Sequence, residues 1–169
     1  MRDDSRKWDA PPDDSQPLTG MGMTVARVWP TRQLLISAPD VLARMPGAGW
    51  PDVVTGAPYT LCLRRDRVLE VDGPAREEGW DGVQAVTDVS DAYAVFRIEG
   101  PQALALCRRG TEVSLARPSR SVARQMFGLS AFLYPWENEE RFCLHVPRAH
   151  AQALWQMLAA HMGQMQRSA

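Results

Sequence analysis

Short runs in which apolar and polar positions alternate recur along this chain, and they predict its strands. Residues 24–29 and 32–37 read as two strands parted by a Pro30-Thr31 turn. Residues 59–65 and 67–72 read as the arms of a hairpin, with Tyr59, Leu61 and Leu63 on one face and Arg65-Asp66 at the turn. Asp72-Gly73-Pro74 closes that hairpin. Between the strand pairs, residues 39–44 suit one or two helical turns, opened by Pro39 and ended by Pro46-Gly47. Residues 48–58 carry Gly49, Pro51, Gly56 and Pro58 and read as a loop.

The pattern strengthens after a polar connector at residues 74–82. Residues 83–87 and 92–98 are strands by alternation, and Gly100-Pro101 then opens a helix at 101–109 that ends at Gly110. Arg108 and Arg109 fall at its C-terminus, where cations suit the helix dipole. Three more strands follow at 121–127, 130–134 and 141–146, joined by Gly128-Leu129 and by the acidic turn WENEE. Pro147 opens a last helix that runs to about His161, with His150 or Ala151, Leu154, Met157, Leu158 and His161 or Met162 on its apolar stripe. This order predicts an α+β fold in which helices cover one face of antiparallel sheets.

Three parts are expected: a flexible acidic tail at 1–20, a β-rich part at 21–73 and an α+β part at 83–165 that forms one compact unit with 21–73. The tail holds five aspartates and three prolines with little to bury beyond Trp8 and Leu18, too little to offset the entropy of ordering. Trp8 is its expected anchor on a partner. The whole chain has 169 residues, with 19 Lys+Arg against 20 Asp+Glu, so no basic field draws it to nucleic acid or anionic lipid. No run is long and apolar enough to span a membrane, and the N-terminus lacks the layout of a secretory signal; a cytoplasmic protein is expected. Lys7 is the sole lysine, which removes Schiff-base and phosphate-loop lysine chemistry from residues 8–169.

Cys62, Cys107 and Cys143 are odd in number and lack CxxC spacing, which speaks against a disulfide framework and a zinc knuckle. Cys143 and His145 lie two apart on a strand and so share a face, as a thiolate–imidazole pair would require; a small buried thiol beside a strand histidine is the plainer reading. His150 and His161 stand three helical turns apart and cannot share a metal. Glu77, Glu78, Glu137, Glu139 and Glu140 lie in polar turns and read as solvated. No nucleotide fingerprint, GxSxG or HExxH occurs. No catalytic, cofactor-binding or metal-binding residue is therefore assigned.

Two features point outward. Arg64, Arg65 and Arg67 cluster at the hairpin tip while Arg117, Arg120 and Arg124 recur from a loop into a strand, which suits an anion or acidic-partner site, or else a solvated surface. Six tryptophans, Trp8, Trp29, Trp50, Trp80, Trp136 and Trp155, exceed what one small core needs, and several sit beside Pro or Gly. Surfaces that become buried on association would explain them, as would a second, smaller core.

In the C-terminal half, TDVSDAYAVFRIEGPQALALCRRGTEVSL followed by RQMFGLSAFLYPWENEERFCLHVPRAHAQALWQML resembles the gamma subunit of heterotetrameric sarcosine oxidase. The shared features, in family order, are Asp88-Val89-Ser90-Asp91, Gly100-Pro101-x-Ala103, Arg109-Gly110 before Leu115, and Val146-Pro147-Arg148 ahead of Leu154-Trp155. Where the family has Leu-Gly-Pro-Asp-Glu-Trp-Leu, only Asp66 and Leu69 keep the pattern; Ser114 replaces a usual aspartate, and residues 1–58 show no match. The resemblance implies a divergent member with a shortened form of the folate-binding aminomethyltransferase fold. It also implies a non-catalytic structural subunit that carries no cofactor itself. Larger partner subunits would hold the flavins FAD and FMN, NAD and tetrahydrofolate and oxidise sarcosine or a related N-methylated amino acid. Two other readings stand beside it: a stand-alone folate- or pterin-binding protein, and a small enzyme built on Cys143 and His145.

Overall fold

Strand alternation sorts side chains onto two faces, and here both faces of the main sheet are covered. The computed structural model describes residues 15–168. Six strands, β1 (Leu18–Gly20), β2 (Met23–Val28), β8 (Tyr93–Glu99), β9 (Ala123–Met126), β10 (Leu129–Trp136) and β11 (Asn138–Pro147), form one antiparallel sheet in the order β1-β2-β8-β11-β10-β9. Five more, β3 (Gln33–Ser37), β4 (Tyr59–Arg64), β5 (Arg67–Val71), β6 (Gly79–Trp80) and β7 (Ala85–Asp88), form a second in the order β4-β5-β3-β7-β6. With the helices α1 (Val41–Arg44), α2 (Ala103–Gly110) and α3 (Ala151–Arg167), the described residues make an α+β fold.

The alternation of β8, β10 and β11 builds two cores from one sheet. Ala94, Phe96, Ile98, Leu133, Phe142, Leu144 and Val146 face α2 and α3, where they pack on Leu106, Leu154, Trp155 and Leu158. The intervening Tyr134 and Cys143 face the second sheet and meet Leu61, Leu63, Leu69 and Val71. A third cluster, including Leu34, Ile36, Val68 and Val86, lies beneath Val41 of α1 on the far side of the second sheet. The two longer helices thus share one face as expected, and the single turn of α1 caps the opposite surface.

The strands do not segregate by their position in the chain. β2 pairs with β8, Val25 opposite Ile98, while β7 pairs with β3, Val86 opposite Ile36. The 74–82 connector runs between two strands of one sheet and supplies β6 at its edge. Within 1–20, Leu18–Gly20 pair with β2 as an edge strand; the expected role of Trp8 lies outside the described residues. The 48–58 loop is stitched down by backbone bonds, Trp50 to Ser119 in both directions and Val54 N to the Pro135 carbonyl at 3.1 Å.

The last helix starts after a 3-10 turn at Arg148–His150 and continues six residues beyond His161. Met162 and Met165 extend the apolar stripe and are buried, whereas His150 is exposed and Met157 only half-buried. Trp155 belongs to the core and stacks on Phe96 with ring centroids 5.7 Å apart. Gly100 takes φ 120°, and a Cβ there would collide with the Gly22 carbonyl oxygen, so the turn into α2 requires glycine.

Candidate functional site: the space between the two sheets

The centre of the sandwich holds a chain of polar side chains. Strand β11 carries His145 inward, and the residue is fully buried. Its Nδ1 lies 3.0 Å from Gln33 Oε1 and its Nε2 lies 2.8 Å from Tyr134 Oη. Gln33 Nε2 faces the Ser90 carbonyl at 3.3 Å, and this requires the amide nitrogen to donate there. Gln33 Oε1 is then the acceptor for His145 Nδ1–H, and His145 Nε2 is left as the acceptor for the Tyr134 hydroxyl. Tyr134 Oη in turn accepts from Tyr59 Oη at 2.6 Å. Every member of the chain is satisfied, in one direction from Tyr59 to Ser90.

Burial sets the protonation states. Desolvation lowers the His145 pKa to about 3, so the imidazole is neutral. It raises both Tyr59 and Tyr134 above the ordinary tyrosine value, so both hydroxyls keep their protons. The Cys143 thiol is raised to about 11 by burial, partly opposed by the Arg97 guanidinium. Cys143 and His145 do share a face, as their spacing predicts. With both imidazole nitrogens engaged elsewhere and the thiol protonated, they do not form a thiolate–imidazolium pair.

Other candidates disperse. His150 is exposed, and His161 packs half-buried against Phe127 with ring centroids 5.0 Å apart. Glu137 pairs with Arg141, Glu78 accepts from the Asp88 amide at 3.1 Å, and Glu77, Glu139 and Glu140 are exposed. Among the described residues no group of three or more His, Cys, Asp or Glu could hold a metal ion. Cys62, Cys107 and Cys143 are all free and buried.

The arginines divide. Arg64 and Arg67 from the hairpin and Arg124 from β9 line one cleft between the sheets, which the sequence could suggest only as two separate clusters. Arg65 borders a different groove beside Trp80, and Arg117 and Arg120 are exposed. The tryptophans divide as well. Trp50 is buried and donates Nε1–H to the Leu115 carbonyl at 2.8 Å, and Trp155 is buried. Trp136 is half-buried, edge-on to Tyr59 and beneath Arg97. Trp29 and Trp80 are 68% and 65% exposed, so two of the five described tryptophans present large aromatic surfaces to solvent.

The sequence-local signals could not find the Tyr59–Tyr134–His145–Gln33 chain. Gln33 and His145 are 112 residues apart and meet only because the sheets stack. The placement of Cys143 and His145 on one strand face was the one visible trace of it.

No protein-family model matches the sequence. No curated protein matches it either. The fold is similar to that of a chain of the heterotetrameric sarcosine oxidase from Corynebacterium sp. U-96, whose structure holds pyrrole 2-carboxylate, with a TM-score of 0.66 at 19% identity over 88% of each chain. The likeness in fold is not confined to the C-terminal half, since 88% of the chain takes part. Among the described residues, no helix is long and apolar enough to cross a membrane.

Proposed function

We propose that this chain is a non-catalytic, gamma-type structural subunit of a multi-subunit, flavin-dependent amine oxidase or demethylase of the sarcosine oxidase type. One observation carries the reading: the fold follows a chain of a heterotetrameric sarcosine oxidase over 88% of both partners, which also makes the two chains nearly equal in length. Larger subunits of the same cytoplasmic complex then hold FAD, FMN, NAD and tetrahydrofolate and act on sarcosine or a related N-methylated amino acid.

The chemistry of the chain supports that role. Its buried polar groups are neutral and satisfy one another's hydrogen bonds, so they hold the sheets together. Trp29 and Trp80 offer exposed aromatic area of the type that anchors protein interfaces. Burying them against a partner removes apolar surface from water and fixes the partner's geometry.

Co-purification of the tagged chain from its native host, with a visible spectrum, tests the proposal. The expected product is yellow and contains larger subunits. A colourless chain without partners would overturn it, and saturable tetrahydrofolate binding by that isolated chain would replace it with a stand-alone folate-binding protein.

A further inference from the structure

A cleft of about 580 Å³ opens between the two sheets near the β4–β5 turn. Arginines line it from both sides: Arg64 and Arg67 from the five-stranded sheet and Arg124 from the six-stranded one. Glu112 is the single carboxylate on its lining, so the described lining carries three positive charges against one negative. None of the three arginines forms an ion pair with a described residue.

Two of these cations are poorly served by the fold itself. The Nε atoms of Arg67 and Arg124 are buried without a hydrogen-bond partner. Arg124 is held in place by its Nη1, which donates to the Ser121 and Ala123 carbonyls at 3.0 and 2.8 Å. That anchoring fixes the guanidinium and leaves its Nη2 without a partner among the described residues. Apart from Gln125 and Ser130, the remaining wall is apolar and aromatic. Tyr93 and Phe132 lie together there with ring centroids 5.1 Å apart, beside Leu35.

We propose that this cleft binds a small organic anion, a carboxylate on a planar apolar body, with the carboxylate held by Arg67 and Arg124 and the body lying against Tyr93 and Phe132. A planar guanidinium matches a carboxylate with two parallel hydrogen bonds, and the Nη atoms of Arg67 and the Nη2 of Arg124 offer donors on opposite walls. The volume is that of an ordinary small-molecule site, and the mixture of apolar walls with a few convergent charges is the usual composition of one. An inorganic anion would satisfy the charge and leave the aromatic wall wet. The site lies wholly within this chain and does not depend on the assembly proposed above.

Calorimetric titration of the full chain with 2-naphthoate tests the site, with inorganic phosphate and uncharged 2-naphthol as comparison probes. The expected result is saturable 1:1 binding of 2-naphthoate with Kd below about 1 mM. R67Q and R124Q should each weaken it about tenfold or more, and R117Q, on an exposed loop, should leave it unchanged. R67K and R124K keep the charge and lose the planar fork, so they should also weaken binding while protecting against loss of fold. Absence of saturation up to about 5 mM would overturn the proposal. An unchanged Kd in folded R67Q and R124Q would overturn it too. Phosphate binding as tightly as 2-naphthoate would contradict the part assigned to Tyr93 and Phe132.

Discussion

His145 shows how a single buried side chain shapes the response of the whole fold to pH. Its folded pKa lies near 3 because burial disfavours the charged ring. In the unfolded chain an ordinary histidine titrates near 6.5. Between these values the unfolded state binds a proton that the folded state does not, so stability rises with pH through that window. Going down in pH, the chain should lose about 1.4 kcal/mol per pH unit below about pH 6. Urea unfolding at pH 7, 6 and 5 measures this slope, and H145Q should flatten it. Asp81 and Asp88, whose folded pKa values hydrogen bonding holds below the usual carboxylate value, add their own loss only where unfolded carboxylates take up protons, below about pH 5, so the comparison from pH 7 to 5 reads the imidazole. An equal slope in the wild-type chain and H145Q would show that the imidazole is not held neutral.

At the scale of elements, the 74–82 connector illustrates what long-range packing adds to a polar stretch. Arg76 folds back onto the buried Glu70 of β5 with two bonds, Nε to Oε2 at 2.8 Å and Nη2 to Oε1 at 2.7 Å. Gly73 makes room for this, since a Cβ there would lie 2.5 Å from the Glu70 carboxyl carbon. R76A strands a buried carboxylate and should cost about 2 kcal/mol, below the range for fully buried pairs because Arg76 is itself partly exposed. A denaturant midpoint unchanged in R76A would show that the clamp is not formed. The strands of the hairpin and of the C-terminal half were legible because each alternates over several residues, and α2 was legible from Gly100-Pro101 at its start. The end of α3 was set too early, because Met162 and Met165 are buried by contacts that local spacing around His161 does not report. The Arg76 clamp and the polar chain at His145 were not legible, because their partners are brought together by loops and sheet stacking. Arg64, Arg67 and Arg124 were noticed as clusters, but only the stacking of the sheets unites them in one cleft.

For the whole molecule, the exposed aromatic area is the feature that an isolated chain leaves unused. Trp29 follows β2, with the Arg27 guanidinium 4.5 Å from its ring, and Trp80 sits on the edge strand β6. Because both side chains are largely solvated, replacing them together with serine should change the stability of the isolated chain by less than about 1 kcal/mol. The same double substitution should release the larger subunits in a pull-down if either tryptophan anchors the assembly. Retention of those subunits by the double variant would remove Trp29 and Trp80 from the interface.

The most direct test of the central claim is the native mass of the untagged chain in extract from its host, followed by size-exclusion chromatography with absorbance read across the flavin bands. The account predicts that the chain elutes in an assembly several times its own 18.8 kDa, together with flavin absorbance and larger polypeptides. Elution as a colourless species of 18.8 kDa would contradict it.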